Sequence, residues 1–286
     1  MSYQPVTQTL DHVSFALRES HPLDWLREKG TVFRVFDQQD SGNLSFGIES
    51  GGRKQFVKYA GARPIRYEGT PEEAVARLRE AAAVYERLAH PALVRLLAHG
   101  EAGEGYALLF EWEDGETLHH QATYPLGTEP ASPYLRFRQL PIGRRRKAME
   151  QILAFHESVE DRGYTAVDFY DGSLLYDFGA HKLTVCDIDL YRRSPFRNPM
   201  GRMWGSSRFM SPEEFELGAP IDGVTNVYNL AAMAFWLLGG GRDRSPERWE
   251  AGEALYAVSS RGVQPAREDR YPSVRSFREA WDDASS

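Results

Sequence analysis

Hydrophobic residues cluster in short runs over Val32–Phe36, Leu44–Glu49 and Gln55–Tyr59, and each run reads as a β-strand. From Pro71 to about Leu88 the spacing changes. Ala74, Val75, Leu78, Ala81, Ala82 and Tyr85 recur at helical intervals behind a proline suited to a first turn. Tyr106 to Leu118 reads as a buried strand running into a turn, with a domain boundary near residue 114. His119 to Leu140 is polar, proline-rich and irregular, as an insertion would be. Pro141 to about Asp161 predicts a helix with Ala148, Ile152, Leu153, Phe155 and His156 on its buried side. Leu174–Tyr176 and Lys182–Cys186 then read as the strands of a hairpin, with Gly179 in its turn. Helices are expected again between Asp243 and Ser260. Met1 to about Gly30 reads as a helical N-terminal extension, whose Phe15, Leu17, Trp25 and Leu26 cover the strands behind it.

The hairpin carries the chemistry. Asp168 stands before its first strand and Asp187 and Asp189 after its second, so closing the ribbon turns Asp168 and Asp187 toward one cleft. Converging carboxylates suit hydroxyl activation or a divalent metal.

Composition narrows the remaining options. The 286 residues suffice for one large domain or two small lobes. A net charge of -7 without a long basic run excludes an electrostatic nucleic-acid surface. Arg144-Arg145-Arg146-Lys147 reads as a solvated helix face. The single cysteine, Cys186, excludes an intrachain disulfide and a cysteine-based zinc site, which fits a reducing cytoplasm. The opening MSYQPVTQTL has no charged-then-apolar pattern, and the most apolar window, Leu230–Leu238, is far short of the ~20 residues of a membrane span. A cytoplasmic protein without membrane contact is expected. Adjacent His119 and His120 point different ways on a helix or strand, which disfavours a shared metal.

Around the hairpin the sequence resembles the protein-kinase family. Ala166-Val167-Asp168, four residues, Ser173, two strands and Asp187-Ile188-Asp189 match H-R-D-x-x-x-x-N and D-F-G. Phe56-Val57-Lys58 is similar to V-A-I-K, and His90-Pro91-Ala92-Leu93-Val94 to H-P-N-I-V. The run Phe110-Glu111-Trp112-Glu113-Asp114-Gly115-Glu116 resembles the kinase hinge. Gly205-Ser206-Ser207-Arg208-Phe209-Met210-Ser211-Pro212-Glu213 resembles the G-T-x-x-Y-M-A-P-E end of an activation segment. The segment after Ile221-Asp222 resembles the family's buried central helix, with Asn226 for its aspartate, and Arg270-Tyr271-Pro272-Ser273 matches R-x-P-S. The pieces stand in the family's order over roughly residues 31–280.

The resemblance implies an α+β, two-lobed protein-kinase-like fold. Residues 31–113 would form a small β-rich N-lobe and residues 114–286 a larger, mainly helical C-lobe. It implies ATP and Mg²⁺ as cofactors and a protein or small-molecule hydroxyl as substrate. Asp168 would be the base and Asp187 the metal ligand, with Ser173 for the usual asparagine. Lys58 would anchor phosphates, held by Glu80. Gly42 would be the surviving glycine of the phosphate loop. Phe110 would close the adenine pocket, Glu111 and Glu113 would present backbone groups, and Glu116 would reach the ribose. Ser206 would touch Asp168, Arg270 would pair with Glu213, and Asp171 is a spare carboxylate near the metal.

Departures keep other readings open. The loop Asp37–Asn43 has lost two glycines, Val167 and Tyr170 replace cations, and Asp189 replaces a glycine. Glu80 lies ten residues before His90, one more than usual, and one residue is about 100° on a helix. An active serine/threonine kinase, a pseudokinase acting as a binding module, and a small-molecule phosphotransferase all remain possible.

Overall fold

The computed structural model describes residues 4–119 and 132–286. His120 and most of the expected insertion lie outside them. The chain is α+β and divides into two compact units, Met1–Ala89 with Val94–Trp112, and His90–Leu93 with Glu113–Ser286.

The first unit opens with the hairpin β1 (Val6–Leu10) and β2 (Val13–Leu17). Here the expectation of a helical extension is corrected. Val13, Phe15 and Leu17 alternate with smaller residues, and the intervening turn has Asp11 at φ 52°. Period two is a strand signal, and pairing the two short runs lets both bury one face. Behind the hairpin lies a five-stranded antiparallel sheet in the order β3 (Thr31–Phe36), β4 (Asn43–Ser50), β5 (Arg53–Ala60), β7 (Gly105–Glu111), β6 (Leu96–Ala102). The residues named as a cover do cover it. Phe15, Leu17 and Leu26 share one buried cluster with Leu44, Phe46, Ile48, Val57 and Tyr59, with Trp25 packed against it. His21 seals this layer through a 2.7 Å hydrogen bond between its Nε2 and the Tyr59 hydroxyl.

Helix α1 (Pro71–Arg87) starts as its sequence dictates. The Thr70 side chain accepts from the Glu73 N–H and the Glu73 carboxylate from the Thr70 N–H, a reciprocal capping box behind Pro71. Its buried stripe is Ala74, Leu78, Ala81, Ala82, Val84 and Tyr85.

The second unit is mainly helical. It contains β8 (Glu116–Thr117), α2 (Pro133–Arg138), α3 (Ile142–Asp161), β9 (Tyr164–Thr165) and the hairpin β10 (Leu174–Asp177) with β11 (Lys182–Val185). The two-residue strands β12 (Arg192–Arg193), β13 (Phe196–Arg197) and β14 (Pro220–Ile221) follow. The unit ends with α4 (Gly223–Leu238), α5 (Glu253–Gly262) and α6 (Val274–Ser285). Helix α4 is apolar on nearly every face and is accordingly buried along most of its length.

Glu213, buried beside it, is paired with two arginines. Arg270 donates to both Glu213 oxygens at 2.7 and 3.0 Å, and Arg267 binds Glu213 at 2.6 Å and both Asp222 oxygens at 2.7 and 2.8 Å. The expected Arg270–Glu213 pair is therefore present, inside a four-membered network. Burial pushes the Glu213 carboxyl up, but the hydrogen bond and charge of Arg270, with the charge of Arg267, hold it below its usual range. The basic cluster opening α3 is not wholly a solvated face. Arg145 is buried, donates to the Leu140 and Leu237 carbonyls and pairs with Glu250. Its place one turn inside the helix turns it onto the end of α4.

Candidate functional site

The two aspartates share a rare backbone state. Asp168 has φ 62° and Asp187 φ 55°, and only Asp11 and His181 join them among the described non-glycine residues. Such backbone costs ~1–3 kcal/mol per residue and persists only where the surroundings dictate it.

The surroundings of Asp168 are visible on either side. Val167 is buried in a cluster with Met203, Met210 and Ile221. Phe169 packs its ring 4.3 Å from that of His156. One residue before Val167, Ala166 is gripped twice by Asn226 of α4. The Asn226 Oδ1 accepts from the Ala166 N–H at 2.7 Å and its Nδ2 donates to the Ala166 carbonyl at 3.0 Å. An aspartate could make only the first of these bonds, so the amide at 226 completes the clamp.

The hairpin fixes Asp187. Leu174 pairs with Val185 and Asp177 with Lys182, and the turn closes where Asp177 Oδ1 accepts from Gly179 and Ala180. At the open end the Cys186 N–H donates to the Ser173 carbonyl at 2.8 Å. Ser173 and Cys186 are thus neighbours, and Asp187 follows next in the chain. Below them His156 Nδ1 donates to the Ile152 carbonyl at 2.8 Å, so Nε2 accepts from the Tyr191 hydroxyl at 2.9 Å. Burial lowers the His156 pKa to about 4, against that carbonyl bond, which keeps the ring neutral.

A serine hydroxyl and an aspartate carboxylate are oxygen donors of the kind that Mg²⁺ takes. Ser173 is fully buried, and among the described residues its hydroxyl has no hydrogen-bond partner. An orphaned buried oxygen is one that a hydrogen-bond donor or an oxygen-liganded cation would satisfy. No group of three or more His, Cys, Asp or Glu side chains placed to hold a metal ion occurs among the described residues, so water or phosphate oxygens would supply the other ligands. Asp171 is not the spare carboxylate expected. It is fully buried, takes Arg208 in a bidentate pair at 2.6 and 2.8 Å, and lies 3.2 Å from His119 Nδ1. The Ser206 hydroxyl accepts from Arg208 Nε at 2.9 Å.

In the first unit, Lys58 is buried on β5, opposite Ser45 of β4, whose buried hydroxyl is orphaned among the described residues. Glu80 is not its partner. It is exposed, while Ala81 and Ala82 occupy the buried stripe, because a regular helix from Pro71 to Arg87 absorbs the extra residue as rotation. Gly42, at φ 82°, is demanded by packing. A Cβ there would lie 2.8 Å from the Tyr67 ring and 2.9 Å from Ala74. Its loop is tied to α1 by Arg77, which donates to the Ser41 carbonyl and the Tyr67 hydroxyl. Asp37 accepts from the Ala16 N–H at 3.0 Å.

Phe110 is buried, 4.8 Å from the Tyr85 ring. Two residues before Lys58, on the same face, Phe56 packs between Phe36 and Phe110 at 5.7 and 6.3 Å. The size of Phe56 is the signal in the sequence for this packing. The Glu111 N–H donates to the Arg95 carbonyl. In the second unit Glu113 takes Lys182 Nζ on both oxygens at 2.9 Å, and Glu116 pairs with Arg136. Both carboxylates are therefore already committed to cations.

No family model matches the chain. It is 23% identical over 176 residues to the serine/threonine-protein kinase pkn2 of Myxococcus xanthus, a match covering 57% of this chain and 19% of that protein. The chain thus matches about a fifth of that relative's length, and the relationship to kinases is distant.

Proposed function

We propose that the chain is a divergent phosphotransferase of two-lobed, kinase-like fold that moves the γ-phosphoryl group of ATP to a hydroxyl, of a protein serine or threonine in the first instance. The carrying observation is the pair of left-handed aspartates at the ends of one hairpin, Asp168 clamped through Ala166 and Asp187 through Cys186. Asp168 would accept the substrate's proton and orient its hydroxyl. Asp187 and Ser173 would hold Mg²⁺, which neutralises phosphate charge when bound. Lys58 would anchor phosphates as a buried cation. Positioning supplies most of the rate in such chemistry, so a short list of groups suffices.

A second reading, a pseudokinase serving as a binding module, is favoured by the first unit. Phe56 crowds the Lys58 face, Glu80 points to solvent, and the glycine loop is tied to α1. No helix among the described residues is long and apolar enough to cross a membrane.

Calorimetry and thermal shift with ATP, with and without Mg²⁺, separate the readings. The phosphotransferase predicts Mg²⁺-dependent binding, worth ~2.7 kcal/mol at 100 times Kd, that is lost in Asp187→Ala. No nucleotide binding by the wild type, with binding gained in Phe56→Ala, would establish the pseudokinase.

A further inference from the structure

One guanidinium joins the two segments that carry the candidate site in the second unit. Arg208 spends its two terminal nitrogens on the two oxygens of Asp171, in the loop that begins at Asp168. Its Nε donates to Ser206 Oγ. The guanidinium carbon lies 4.6 Å from the Trp236 ring and 5.0 Å from the Phe209 ring, which fixes its plane. Trp236 is itself stacked on Tyr134 at 4.8 Å.

Burying the Asp171 carboxylate completely is costly unless it is paired and hydrogen-bonded. Arg208 and His119 do both. The arrangement has a directional result at Ser206. A hydroxyl has one hydrogen and two acceptor positions. With Arg208 donating to the oxygen, the Ser206 hydrogen is left to be donated elsewhere. Gly172 leaves room for the Tyr170 ring to fold back, since a Cβ there would meet Tyr170 Cε2 at 2.3 Å, and the His119 ring packs edge-on against Tyr170 at 5.7 Å.

We propose that Arg208 is a positioning residue of the phosphotransfer site. Held by Asp171, it locks loop 168–173 to segment 205–213 and orients Ser206 as a hydrogen-bond donor. The assignment rests on the phosphotransferase reading.

The test is a double-mutant cycle on Mg²⁺–ATP turnover, with Ser206→Ala, Arg208→Gln and their combination, each checked for an unchanged fold by melting. Each single variant is expected to lower kcat by roughly 10²-fold, the size a small misplacement brings, with the KM for ATP unchanged. The double variant is expected to be no worse than either single one. Multiplying effects, or a change in KM alone, overturn the assignment while leaving the enzyme reading intact. A wild type without turnover overturns both. Amide exchange keeps the test open if Arg208→Gln loosens the protein. Protection is expected to fall in residues 166–173 and 205–211 together, and a fall confined to one segment refutes the lock.

Discussion

Glu214 is the most informative group to perturb, because it is buried without a cation. Its Oε2 accepts from the Ser211 N–H at 2.7 Å, the Ser211 hydroxyl at 2.9 Å and Asn229 Nδ2 at 2.8 Å. Burial pushes its pKa from 4.5 to about 7, and those three donors recover only part of the loss. A raised folded-state pKa means that the folded chain binds the proton more tightly than the unfolded chain. The stabilisation is complete below 4.5 and is lost as pH rises through about 7. Glu214→Gln keeps the shape and cannot ionise. Relative to wild type, the variant should therefore gain ~3 kcal/mol as pH rises from about 4.5 to about 8, because each pH unit separating the folded and unfolded pKa values is worth about 1.36 kcal/mol. Urea unfolding of both proteins at several pH values measures the difference. Taking a difference also cancels other titrating groups, including His156, whose lowered pKa acts in the opposite direction over much of this range. A gap that stays constant with pH, or that narrows, would show that the three donors stabilise the carboxylate fully and that the burial argument is wrong.

Asn226→Asp should destabilise by about 2–3 kcal/mol, because it removes the donor to the Ala166 carbonyl and buries a charge. It should also lower turnover more than an equally destabilising core variant, and unchanged stability and turnover would show the clamp to be dispensable. Arg270→Ala leaves Glu213 with Arg267 as its cation and should cost ~3–5 kcal/mol in urea unfolding, and a loss below about 1 kcal/mol would mean that Arg267 carries the network alone.

Much of this molecule is written locally. The alternation over β4, the Thr70–Glu73 capping box and the apolar length of α4 follow from short-range sterics, hydrogen bonding and periodicity. The hairpin that carries Asp187 was legible for the same reason, since a closed turn fixes which residues face one another. The pair Arg270–Glu213 was legible only through resemblance, because no local rule joins residues so far apart in the chain.

Other features were decided by tertiary packing alone. The first thirty residues carry a weak pattern, and the sheet face they cover selected a hairpin over a helix. Glu80 looked like a partner for Lys58 until the helix rotation set by its buried stripe turned it to solvent. Asp171 read as a spare ligand, and its full burial against Arg208 made it a structural anchor. Asn226 read as a substitute for an aspartate, and the nearby Ala166 carbonyl made its amide the fitting group. In each case the sequence determined what a side chain can donate, accept or bury. Which partner it meets depended on distances that only the packed chain sets.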